Sequence, residues 1–143
     1  MKRVLRTISM KILALDLGDK WVGSALSDAL KLFARPYKTV GLYELTKFLE
    51  ETFLNEKIDT VLIGYPKTMK GTESEQTKKV VAQKEELEKL FPEKKFILWD
   101  ERLSSKRAEQ TKKTSSKEAK LQSHSIAAAF ILESYLNYLQ FTK

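Results

Sequence analysis

Residues 10–17, Met-Lys-Ile-Leu-Ala-Leu-Asp-Leu, form a nearly unbroken apolar run that admits one carboxylate, Asp16, near its end. A run this short and continuous reads as a strand covered on both faces, so the chain needs a layer of structure on each side of a sheet. Gly18-Asp19 is a turn signal leading into a second run, Trp21 to Ser27, and the two form a hairpin. A third extended piece, Leu32 to Val40, contains Pro36, which favours an edge strand or a bulge. Leu42, Leu45, Phe48, Leu49 and Phe53 recur at helical spacing, predicting an amphipathic helix over Leu42 to Lys57.

Thr60 to Gly64 is a short apolar strand ending in Gly64-Tyr65-Pro66, and after a polar loop a charged helix runs from about Glu73 to Leu90, stopped by Pro92. Lys95 to Trp99 is a last strand that delivers Asp100 and Glu101 at its end. Ser104 to Leu121 is rich in Lys, Ser and Thr and reads as a flexible basic loop. Ser123 can cap a final helix that continues to about Gln140. The order β-β-β-α-β-α-β-α defines an α/β layer fold, with antiparallel strands first and parallel strands later. At 143 residues the chain suits one domain, 1–143, able to bury roughly 70% of its unfolded surface without a staple.

Composition excludes several chemistries. With no cysteine there is no disulfide framework, thiolate nucleophile, Cys-based zinc site or iron–sulfur cluster, and a cytoplasmic location follows most simply. The longest strongly apolar stretch, Ile126 to Leu132, is far shorter than the ~20 residues of a membrane helix, so no membrane partner is expected. The net charge of +7 is concentrated in two segments. Residues 1–11 carry Lys2, Arg3, Arg6 and Lys11 with no acid, residues 1–9 being a basic N-terminal extension. Residues 104–120 set Lys106, Arg107, Lys112, Lys113, Lys117 and Lys120 against Glu109 and Glu118. Such focusing suits a polyanion whose phosphates shed counterions, although Lys runs are often only solvated faces.

Asp16 and the Asp100-Glu101 pair arrive at the carboxyl ends of separate strands, where ligand sites in open α/β sheets collect. Oxygen donors converging there suit hard divalent cations, with positions left for water and phosphate. An isolated Asp at a strand end more often merely caps a turn, so convergence is the deciding question. The loop from Gly64 to Glu73 lacks the Walker spacing, yet its Lys67 and Lys70 precede a helix start that could meet a phosphate. The single histidine, His124, follows the capping Ser123 and is a candidate ligand.

Taken together, these residues resemble the YqgF/RuvX family of RNase H-like proteins, described as pre-16S rRNA nucleases and related to Holliday-junction resolvases. The resemblance spans roughly residues 10–140. Asp16-Leu-Gly-Asp-Lys20, Gly23 and Ser27-Asp28 match the family's opening. Gly64-Tyr-Pro66 with Gly71-Thr72 resembles its Gly-Leu-Pro loop, and Asp100-Glu-Arg-Leu-Ser-Ser105 matches its Asp-Glu-Arg-Leu motif. The stretch from His124-Ser-Ile-Ala-Ala to Tyr135-Leu136 matches the family's last helix, except that His124 stands where the family has a third carboxylate.

The resemblance implies an RNase H-like three-layer fold, with a five-stranded mixed sheet whose first three strands are antiparallel, flanked by helices. It also implies a metal-dependent endonuclease acting on structured pre-16S rRNA, with a four-way DNA junction as the alternative substrate. Asp16, Asp100, Glu101 and His124 would be catalytic, with Asp16, Glu101 and His124 holding Mg²⁺ or Mn²⁺. Lys20, Lys67, Lys70, Arg102, Lys106, Arg107, Lys112 and Lys113 would contact nucleic acid, in a monomer or weak homodimer. Imidazole suits Mn²⁺ better than Mg²⁺. His124 therefore leaves two readings, an enzyme with a softer metal preference or a silent binder. The resemblance also implies that similar chains begin at Met10, which would mark residues 1–9 as an extension or a start-site misassignment.

Overall fold

The computed structural model describes residues 10–66, 74–100 and 117–142. Strands β1 (Lys11–Leu17), β2 (Trp21–Ser27) and β3 (Ala34–Gly41) are followed by a 3-10 turn at Leu42–Glu44 and helix α1 (Leu45–Asn55). Strand β4 (Ile58–Tyr65), helix α2 (Glu75–Leu90), strand β5 (Lys95–Asp100) and helix α3 (Lys117–Phe141) complete the order. The five strands form one sheet in the order β3-β2-β1-β4-β5. β1 pairs antiparallel with β2, and β2 with β3, whereas β1–β4 and β4–β5 are parallel. This is the mixed sheet read from the sequence, because tight turns return a chain antiparallel whereas parallel neighbours need a long crossover.

Strand alternation divides the core in two. Leu13, Leu15 and Leu17 of β1 join Val61 and Ile63 of β4 beneath Leu45, Phe48 and Leu49 of α1 and Val80 and Leu87 of α2. Ile12 and Ala14 of β1, Ala25 of β2 and Leu62 of β4 instead meet Ala128, Ile131, Leu132 and Leu136 of α3. Helices on both sides explain why the centres of β1 and β4, Ile12–Leu15 and Val61–Ile63, are apolar on both faces rather than alternating.

Pro36 lies on edge strand β3 opposite Ala25, just beyond a register shift between Gly23 and Ala25. Buried Ser24 satisfies the backbone there: its hydroxyl donates to the Lys38 carbonyl at 2.7 Å and accepts from the Lys38 N–H at 3.0 Å.

The helix read over Leu42–Lys57 begins as the 3-10 turn and ends at Asn55, and the largest boundary difference from the sequence reading is at the last helix. The last helix starts by Lys117, so Ser123 is inside it rather than its cap, and the Ser123 hydroxyl donates to the Lys120 carbonyl at 2.6 Å. Lys117-Glu-Ala-Lys-Leu-Gln122 is composed of strong helix formers, whose propensity outweighs the start signal of a single Ser. The expected loop of 104–121 thus gives up residues 117–121 to α3, and the rest of it lies outside the described residues. Among the described residues no helix is long and apolar enough to cross a membrane.

Candidate active site at the carboxyl edge of the sheet

Asp16 is the penultimate residue of β1 and pairs with Gly23 of β2, which in turn pairs with Thr39 of β3. Alternation along β1 gives Asp16 the side shared by Ile12 and Ala14, the side that α3 covers. Gly23 lets the helix come down onto this row. A Cβ at Gly23 would overlap the carbonyl of His124 and lie 2.8 Å from the Ser125 nitrogen. The Thr39 hydroxyl fastens the preceding turn of α3 by donating to the Leu121 carbonyl at 2.6 Å. Residues 121 and 124–125 of α3 therefore sit over Thr39 and Gly23, bringing the His124 backbone beside the cross-strand partner of Asp16.

His124 is half-buried and lies eighth in α3. It is not at a helix start, because Ser123 before it is inside the helix. That corrects the sequence reading, with the early start of α3 as the physical reason.

Asp100 ends β5 and pairs with Tyr65 of β4, one step beyond the Gly64–Trp99 pair. Leu15 pairs with Ile63, so Asp16 and Asp100 reach the same edge within about one residue of each other, with β4 between them. Their parity differs. Asp100 shares the parity of Phe96 and Leu98, on the side of α1 and α2, whereas Trp99 shares the side of Asp16. The Trp99 indole donates to the Ser134 hydroxyl at 2.7 Å and meets the Tyr135 ring edge-on at 5.1 Å, fastening the far half of α3 to β5.

The turn between β1 and β2 completes the edge. The Gly18 N–H donates to the Trp21 carbonyl at 3.0 Å, and a Cβ on Gly18 would lie 2.8 Å from that oxygen, so the turn requires glycine. The exposed Lys20 uses its carbonyl to accept the Leu42 N–H at 2.9 Å. On the α2 side, a cleft of about 440 Å³ opens between Gly18, Asp19, Leu42 and Lys79. Ser74 caps α2 by accepting the Thr77 N–H at 3.2 Å, and the buried Thr77 hydroxyl donates to the Pro66 carbonyl at 2.6 Å. The N-terminus of α2 is thereby held at the end of β4, on the same edge.

Asp28, the end of the opening motif, lies at the opposite end of β2 and closes a turn. Its carboxylate accepts the N–H groups of Phe33 at 2.7 Å and Leu32 at 2.8 Å. Those donors, Phe33 first, hold its carboxyl below the usual carboxylate range.

Glu101, Arg102, Lys67, Lys70, Lys106, Arg107, Lys112 and Lys113 lie outside the described residues. Among the described residues no three His, Asp or Glu side chains gather closely enough to hold a metal ion. The edge carries oxygen donors of the kind a hard cation takes, Asp16 and Asp100 on two strands but on opposite sides of the sheet, and the segment bearing His124 is laid across a third strand on the Asp16 side. The sequence reading assigned no role to Thr39 and none beyond motif membership to Gly23. A glycine within an otherwise apolar strand is the signal that another backbone approaches closely.

A family model described as RuvX, Holliday junction resolvase, matches residues 10–138. A Christiangramia forsetii protein named "Putative pre-16S rRNA nuclease" is 40% identical over 131 residues, 88% of this chain and 97% of the relative. A Staphylococcus carnosus protein of the same name is 37% identical over 142 residues, 93% of this chain and 99% of the relative. Among solved structures, T. thermophilus RuvC, in complex with a Holliday junction substrate, aligns with a TM-score of 0.56 at 12% identity. It covers 93% of this chain and 97% of that one, a likeness of fold. Sequence match and architecture agree, and the chain belongs to the RuvX family, a nuclease and resolvase family whose members act on nucleic acids.

Proposed function

We propose that this chain is a divalent-cation-dependent endonuclease that hydrolyses phosphodiester bonds in structured RNA, with 5′-end processing of precursor 16S rRNA as its task. The observation that carries this reading is the row Asp16–Gly23–Thr39 crossed by α3, which lays the His124 backbone against Gly23, the cross-strand partner of Asp16. The names of the relatives favour precursor rRNA over a four-way DNA junction.

Asp16 and Glu101 would hold the cation, with His124 completing the set as ligand or proton-transfer group. The parity of Asp100, opposite to that of Asp16, supports a positioning role for Asp100. Bound there, a divalent cation supplies charge stabilisation at the reacting phosphate and acidifies water. Lys20, Lys67, Lys70 and Arg102 would hold the phosphates beside the cut. Lys106, Arg107, Lys112 and Lys113 would grip more distant backbone, a contribution that falls steeply with salt. The protein would work in the cytoplasm as one RNase H-like domain, monomeric or weakly dimeric.

A second reading, binding without cleavage, draws on the imidazole at position 124. Both are tested by incubating the protein with a precursor 16S 5′-leader RNA and a four-way DNA junction, each with Mg²⁺ or Mn²⁺, beside Asp16→Asn and His124→Asp. Cleavage of the RNA that vanishes in Asp16→Asn supports the nuclease, and a further loss in His124→Asp gives His124 a working role. Binding without cleavage by the wild type, with cleavage gained in His124→Asp, would establish the silent binder instead. Cleavage untouched by Asp16→Asn would mean that the site is wrong.

A further inference from the structure

Among the described residues, Trp21 is a neighbour of Asp16 that the proposed chemistry leaves without a task. It opens β2, and alternation gives it the same side of the sheet as Gly23. Because Gly23 pairs with Asp16, Trp21 is the diagonal neighbour of Asp16 towards the strand ends, with Cα atoms roughly 7–8 Å apart. Every other residue of β2 is buried, yet Trp21 keeps 37% of its surface exposed. Its cross-strand partner is Gly41, which has no side chain to lay over the indole. Lys20, immediately before it, is exposed. A lone exposed tryptophan means little, so the weight rests on its place: a partly exposed ring, a cation and a carboxylate within one turn of chain.

We propose that Trp21 stacks on an unpaired nucleobase next to the phosphodiester held at the Asp16 edge. The substrate class is then nucleic acid with unpaired nucleotides at the cut, not continuous duplex. An unpaired base can offer its face to an indole, whereas the faces of bases within a duplex are already occupied by their neighbours. Such stacking tolerates any base, because each has a π face. This inference rests on the nuclease reading only for which phosphate is cut, since the stack itself forms without cleavage.

The chain contains two tryptophans, Trp21 and the hydrogen-bonded, packed Trp99, so indole fluorescence reports the contact. Without divalent cation, a short oligoadenylate RNA should quench the wild type and Asp16→Asn alike. Trp21→Phe should abolish the quenching and keep most of the affinity, because phenylalanine still stacks. Trp21→Ala should bind the oligoadenylate about tenfold or more weaker, while losing much less affinity for the same strand in a blunt duplex with oligouridylate. Quenching that persists in Trp21→Phe, wild-type oligoadenylate affinity in Trp21→Ala, or equal losses for single strand and duplex would each overturn the stack. Cleavage insensitive to Asp16→Asn, with the quenching pattern intact, would sink the nuclease reading and leave the stack standing.

Discussion

The two faces of the sheet are built from different residues. Beneath α1 and α2 the contacts are large and apolar: Leu13, Leu15 and Leu17 against Leu45, Phe48 and Leu49, with Phe53 meeting Phe91 edge-on at 5.0 Å. Beneath α3 large residues such as Ile12, Leu62, Leu132 and Leu136 are mixed with small ones, Ala14, Ala25, Ala128 and Ala129; Gly23 lies against the His124 backbone, and specific hydrogen bonds join Thr39 to Leu121 and Trp99 to Ser134. Large side chains remove more surface from water and tolerate small shifts in helix position. Small residues and fixed hydrogen bonds give less burial but set where a helix lies. The first face thus contributes mainly burial, and the second adds the close approach and the hydrogen bonds that set where α3 lies over Gly23.

The largest separation of the two should come from Leu15→Ala and Gly23→Ala. Leu15 is fully buried under α1 and α2, and its truncation should cost about 3 kcal/mol by urea unfolding. Cleavage per folded molecule should stay near wild type. Gly23→Ala should cost less, about 2 kcal/mol, because α3 must lift off the added methyl. Cleavage should nevertheless fall roughly a hundredfold, as expected for a displacement near 1 Å at a reacting centre. Equal activity losses in the two variants would erase the distinction between the faces.

Thr39→Val sharpens the comparison. It removes the hydroxyl that holds Leu121 while roughly keeping the volume, and should cost about 1 kcal/mol. A KM that is little changed beside a lower kcat would show that the hydrogen bond positions α3 and does not bind substrate.

The smallest effect is expected far from both faces, at Asp28. Its carboxyl is held below the ordinary value of 3.8, chiefly by the Phe33 N–H. Its contribution to stability is therefore complete above that value and is lost as the pH falls through the lower folded-state pKa. Thermal melts through this acid range should show a shallower acid loss in Asp28→Asn than in the wild type, with cleavage at neutral pH little altered.

Much of this was legible in the sequence. The apolar runs of β1 and β4, the Gly18-Asp19 turn, Pro36 on an edge strand and the stop at Pro92 all appear as read. Each depends on local chemistry that the chain carries in a few consecutive residues. The start of α3 was misread because Ser123 has the chemistry of a cap, while the helix propensity of residues 117–122 is spread over six positions. Thr39 could not be found, because its contact with Leu121 joins residues 82 apart and exists only once the helix lies across the sheet. Asp16 and Asp100 were legible as strand-end carboxylates. Their opposite parity was not, because it depends on where each strand enters the sheet.

A titration with Mn²⁺, followed by paramagnetic broadening of backbone amide signals, tests the placement of the site directly. The account predicts that Asp16, Gly23 and His124 broaden first, that the turn from Asp28 to Phe33 stays sharp, and that Asp16→Asn abolishes the effect. Broadening centred away from the carboxyl edge, or unchanged in Asp16→Asn, would contradict it.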